Sequence, residues 1–106
     1  MPKVVKLILV TAKHLPQHKY FMKILNALAK ELNVEVEILE EDYEFLSKYG
    51  EKDEFGMAWA PQLFARLDDG SIIPILTKLP IDERLRVDTD KALNEARRRL
   101  QELTSG

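Results

Sequence analysis

Residues 13–21 read KHLPQHKYF. Two imidazoles, His14 and His18, stand four residues apart around Pro16 and beside Gln17. Imidazole is the side chain whose ordinary titration falls nearest neutral pH. At this spacing two histidines can share a helix face and ligate zinc. Two features tell against a metal. Pro16 lies between the histidines and puts His14 ahead of the helix, and no third ligand stands nearby in sequence. No metal is therefore expected. A general base needs a proton to abstract within hydrogen-bond reach, and an orienting partner for its ring. The neighbouring sequence names neither. Thiol chemistry is absent outright, because these 106 residues contain no cysteine. That removes disulfides, thiolate metal sites and every mechanism that begins with a thiolate.

The elements around this stretch follow from apolar patterning. Residues 4–10, VVKLILV, are apolar except for Lys6. Such a run, rich in β-branched residues, predicts a strand buried on both faces in the middle of a helix-covered sheet. Pro16 suits the first turn of the next helix, where its missing N–H would be unpaired anyway. Phe21, Ile24, Leu25, Leu28 and Leu32 then recur at helical spacing, and each adds about 1.5–3 kcal/mol if fully buried. Asn33 is the expected stop. Residues 34–39, VEVEIL, predict a second strand with Val34, Val36 and Ile38 on one face. Asp42 is placed to cap a short helix, YEFLSKY, which Gly50 closes. Residues 51–56 read as loop.

After Pro61, QLFARL predicts a third strand, and Asp68-Asp69-Gly70 a hairpin turn into a fourth strand over residues 71–76. Pro74 cannot donate to a ladder, so this strand belongs at a sheet edge. Residues 77–87 predict an irregular connection carrying Leu79, Ile81 and Leu85. It either folds back over the core or packs as an arm on a second chain. Asp88 or Thr89 caps a last helix to Leu103, with Leu93, Ala96, Leu100 and Leu103 as its stripe. No internal repeat or low-complexity segment interrupts the pattern. The expectation is one α/β domain over residues 1–106, in the order β-α-β-α-β-β-α, with a central mixed four-stranded sheet flanked by helices.

Composition narrows the function classes. The chain is 45% hydrophobic with a net charge of −2, so it should fold and carries no global basic field for nucleic acid. Arg97, Arg98 and Arg99 are expected to form a solvated helix face. The acids between Glu31 and Glu54 are expected to do the same, with self-association as the sharper reading of the asymmetry. No run of 18 apolar residues is present, so no membrane span is expected. The start MPKVVKLILV lacks the pattern of a signal peptide, which makes a cytoplasmic location the expectation.

The order of elements, taken with KHLPQHKYF and the later Trp59-Ala60-Pro61, resembles the thioredoxin and glutaredoxin families. In those families the first strand–helix junction holds Cys-x-x-Cys. Leu15-Pro16-Gln17-His18 overlays the glutaredoxin form with its proline in place, and His14-Leu15-Pro16-Gln17 overlays the thioredoxin form one residue earlier. Both registers replace both cysteines. The resemblance also implies that Pro61 is a cis-proline facing that turn, and that the residue before it, Ala60, pairs through its backbone with an extended substrate chain.

Thiol–disulfide exchange needs an attacking thiolate, so the oxidoreductase activity the resemblance implies is excluded. Peptide binding by strand addition needs no cysteine. The leading expectation is thus a redox-inactive module that binds a protein or peptide, with no cofactor. Its candidate face comprises His14, Leu15, Pro16, Gln17, His18, Trp59, Ala60 and Pro61. Trp59, the only tryptophan, is either core packing or a binding anchor. Two alternatives stay open. One is a small enzyme using His14 or His18 as base at the same turn. The other is a homo-oligomeric structural subunit.

Overall fold

The computed structural model describes residues 2–105. The elements are β1 (Val4–Thr11), α1 (His18–Leu32), β2 (Glu35–Glu40), α2 (Tyr43–Tyr49), β3 (Gln62–Leu67), β4 (Ile72–Leu76) and α3 (Thr89–Thr104). The strands form one mixed sheet in the order β2-β1-β3-β4. β1 runs parallel to β2 and antiparallel to β3, and β3 runs antiparallel to β4. The α/β order and the four-stranded mixed sheet are those expected from the patterning.

β1 is central because its side chains are apolar on both faces. Leu7 and Leu9 point into a cluster with Phe21, Ile24, Leu25 and Leu28 of α1 and Ala92, Ala96 and Leu100 of α3. Ile8 and Val10 point the other way, toward Phe64 and Leu46 of α2. The alternation of a strand thus assigns α1 and α3 to one side and α2 to the other. Phe45 meets the edge of Phe64 at 5.1 Å between ring centroids, which holds α2 in place.

Capping follows the side-chain chemistry. Asp42 accepts from the Phe45 N–H at 3.0 Å, and Asp88 accepts from the Lys91 N–H at 3.0 Å. Asn33 ends α1 in the left-handed region, where asparagine is tolerated. β4 lies at an edge, as Pro74 requires.

Three expectations need correction. Pro16 is not in the helix: two consecutive turns, Leu15 N–H to Ala12 O and His18 N–H to Leu15 O, carry the chain from β1, and α1 begins at His18. The second strand begins at Glu35, not at residue 34. Val36 and Ile38 do share a face, but they are 41% and 46% exposed. β2 has only β1 beside it, and the helices pack chiefly on the other strands, α1 on β1 and β3 and α3 on β4. The connection after β4 is less irregular than expected: Leu79 packs on the larger cluster, and residues 81–87 close into a tight hairpin.

Candidate binding site

β1 ends at the buried Thr11, followed by the buried Ala12, and the two turns that follow bring His18 back to the strand. Thr11 Oγ1 and His18 Nδ1 lie 2.9 Å apart; the ring accepts or donates according to its tautomer. A hydroxyl bonded to an imidazole is the arrangement of an activated nucleophile. Thr11 is only 1% exposed, however, so substrate cannot reach its oxygen. The pair therefore acts as a strut between β1 and the first residue of α1. His14 is exposed, with Nδ1 4.0 Å from Glu41 Oε1. Glu41 is itself fixed by its N–H bond to Thr11 O. Among the described residues no group of three His, Asp or Glu is placed to hold a metal ion.

Across from this turn lies the segment leading into β3. The Ala60–Pro61 peptide is cis. Pro61 is buried, and Trp59 and Ala60 are half-buried. Trp59 is held at its indole edge, where Nε1–H donates to Thr77 O at 2.8 Å. Lys78 Nζ sits 5.5 Å from its ring centroid, a cation–π contact. Neither the N–H nor the C=O of Ala60 is hydrogen-bonded among the described residues.

The residue that organises this segment is Gln62, which the patterning did not single out. It is 0% exposed. Its Oε1 accepts from Glu51 N–H at 2.8 Å, and its Nε2 donates to Glu51 O and Trp59 O at 2.9 Å each. One buried amide thus closes the loop from residue 51 to residue 59 onto the sheet. A buried polar side chain demands such partners. The available signal was its type: a glutamine heading a mostly apolar strand directly after a proline.

Gln17, Trp59 and the segments 51–54 and 77–79 enclose an open groove of about 710 Å³. Thr77 Oγ1 donates to Glu51 across it. The fold therefore brings Gln17 and Trp59 to one groove; Ala60 and Pro61 follow Trp59 in the chain but are not among the residues that line it, and Ala60 packs toward the Phe64 cluster. His14 contacts Glu41, Leu15 is half-buried, Pro16 is exposed, and His18 is engaged with Thr11. The groove offers an aromatic face, an amide, two lysines and several carboxylates. It suits hydrogen bonding and apolar contact. Neither His14 nor His18 is among the residues that line the groove.

A second cavity of about 510 Å³ lies between α1, α3 and the start of β1. Arg97 closes its rim by reaching both carboxylate oxygens of Glu31 and Asn94 Oδ1. The guanidinium hydrogen bonds hold the Glu31 carboxyl below its usual range, and the same bonds raise Arg97. Arg99 pairs with Glu102 at 3.6 Å. Two of the three arginines thus have intramolecular partners. No helix among the described residues is long and apolar enough to cross a membrane.

The chain matches no family model, no curated protein and no solved structure.

Proposed function

We propose that this chain is a thioredoxin-like domain without thiol chemistry that binds an extended protein or peptide segment along the groove between Gln17 and Trp59. The observation that carries the reading is Ala60. Its N–H and C=O have no hydrogen-bond partner among the described residues, and it lies between the anchored Trp59 and Pro61. A half-buried peptide group without partners invites another chain, and strand addition supplies one donor and one acceptor at that spacing. Trp59 contributes the apolar contact, and Gln17 and Lys78 contribute polar contacts at the rim. The order of elements and the mixed four-stranded sheet support the fold assignment.

The test is selection of random linear peptides on immobilised protein, followed by mapping of amide shifts in isotope-labelled protein. Selected peptides should shift the Ala60 amide and the Trp59 Nε1–H, and Trp59→Ala should weaken them roughly tenfold or more. Circular dichroism must show the variant to be folded. Peptides that bind Trp59→Ala equally, or that shift only distant amides, refute the reading. A companion capture from lysate with Trp59→Ala and His14→Ala combined asks whether His14 belongs to the same face.

A further inference from the structure

Two loops at one end of the sheet are built to the same plan. In the first, Asp53 Oδ1 accepts from Phe55 N–H and Met57 N–H at 2.9 and 3.0 Å. In the second, Asp82 Oδ1 accepts from Arg84 N–H and Arg86 N–H at 2.8 and 3.0 Å. Asp53 N–H donates to Met57 O, and Asp82 N–H to Arg86 O. Gly56 N–H donates to Asp53 O, and Leu85 N–H to Asp82 O. An isolated antiparallel bridge closes each loop, Lys52 with Ala58 and Ile81 with Val87. The fourth residue of each turn is left-handed, Gly56 at φ +78° and Leu85 at φ +62°.

The loops are near each other. One feeds β3 and the other leaves β4, and these strands are antiparallel neighbours. Trp59 and Glu51, at the base of the first, both bond Thr77. From Thr77 to the base of the second at Ile81 is four residues, a reach of at most about 14 Å.

The shared backbone makes the difference in side chains legible. The first turn carries Phe55 and Met57, 81% and 66% exposed. At the same two positions the second carries Arg84 and Arg86, and neither makes an ion pair among the described residues. Where the first has glycine, the second has Leu85, 79% exposed. A bulky L-residue is disfavoured in that conformation, and glycine is not. Within the protein, Leu85 fills no space that would offset this. Its side chain sits at a backbone cost and turns to solvent, as that of a contact residue would.

We propose that these turns are complementary halves of a contact between two copies of this chain, the 53–57 turn of each copy docking on the 82–86 turn of the other. The argument for a second copy is the complementarity of the two tips. Apart from the aspartate bonded into each turn, the first carries Phe55, Met57 and Glu54, and the second carries Arg84 and Arg86 against a single acid, Glu83, with Leu85 exposed. Arginine stacks on aromatic faces and pairs with carboxylates. A twofold axis between neighbouring tips forms both contacts at once, as an isologous interface requires. This inference does not depend on the peptide-binding reading: Asp53 and Glu54 also line the groove, but Phe55, Arg84 and Leu85 lie outside it, and neither Trp59 nor Ala60 belongs to either turn.

The test is sedimentation velocity of the full chain over a wide concentration range, with five samples. Wild type should dimerise. Phe55→Ser and Leu85→Gly should each raise the dissociation constant roughly tenfold or more. Leu85→Gly should unfold at the same or a higher temperature than wild type, which separates lost contact from lost fold. Glu54→Arg and Arg84→Glu should each weaken the dimer, and an equimolar mixture of the two should restore it, because the heterodimer has opposite charges at both contacts. A wild type that stays monomeric at its highest soluble concentration overturns the proposal. So does a dimer unchanged by Phe55→Ser and Leu85→Gly. Flotation with phosphatidylcholine–phosphatidylserine vesicles by a monomeric wild type, lost in Leu85→Gly, would assign the tips to a membrane surface and equally overturn it.

Discussion

Gln62→Met replaces the buried amide with a side chain of similar length that can neither donate nor accept usefully. Three hydrogen bonds vanish: one from Glu51 N–H, one to Glu51 O and one to Trp59 O. Each is worth about 0.5–1.5 kcal/mol net, and a group left buried without a partner costs about 1–3 kcal/mol. Glu51 is exposed, so water can replace part of what it loses once the loop lifts. Trp59 O is on a half-buried residue and recovers less. The expected loss is about 1.5–3 kcal/mol. In urea that lowers the midpoint by about 1 M at unchanged slope. The amide of Glu51 should also exchange faster with solvent, because its acceptor is gone. Gln62→Glu is the companion variant. A carboxylate cannot donate to Glu51 O or Trp59 O, and it would be a charge at a site with no exposure. It should therefore cost more than methionine. A Gln62→Met protein within about 0.5 kcal/mol of wild type, with the Glu51 amide equally protected, would refute the idea that this amide holds the groove's wall.

Three further expectations follow from single contacts. Gly50 has an ordinary negative φ, but a Cβ there would lie 2.6 Å from Leu46 O and 3.1 Å from Gln62 Oε1. Gly50→Ala should therefore destabilise by about 1–3 kcal/mol through crowding; an unchanged thermal midpoint would show that α2 shifts freely. Asp88→Ala removes the cap on α3 and should cost about 1 kcal/mol, which calorimetry resolves as a shift of several degrees. For Glu31, hydrogen bonding to Arg97 lowers the folded-state pKa. Its contribution is therefore present above the unfolded carboxylate pKa and is lost as pH falls through the lower folded value. The pair is solvent-exposed, so the effect on stability is small and salt-sensitive. Carboxyl carbon titration should find the Glu31 midpoint moving up in Arg97→Met, and an unmoved midpoint would mean the ion pair does not persist in solution.

Local chemistry was enough for much of the fold. VVKLILV is apolar on both faces, so it had to be central, and β1 is. Asp42, Asp88 and Asn33 act at helix ends through bonds to backbone within three or four residues. Pro74 lacks an N–H, so its strand had to be an edge. The candidate face was legible only in part. Gln17 and Trp59 do reach one groove, because the strand–helix junction and the Pro61 segment end at the same side of the sheet.

What the sequence could not disclose depends on contacts between distant residues. His18 spaced four from His14 reads as half of a pair, but its ring is taken by Thr11, and that choice was made by two turns rather than by spacing. Gln62 reads as one polar residue in a strand, and only the return of residue 51 beside it makes it a clamp. Val36 and Ile38 read as one face of a strand, yet α1 settles over β1 and β3 and α3 over β4, leaving that face half-exposed. Asp53 and Asp82 share a following glutamate and little else in sequence, and backbone bonding alone reveals them as one turn used twice. Periodicity and capping act over a few residues and are written in the order of side chains. Partner choice for a buried polar atom is a competition among everything the fold brings within about 3 Å, and only the assembled structure decides it.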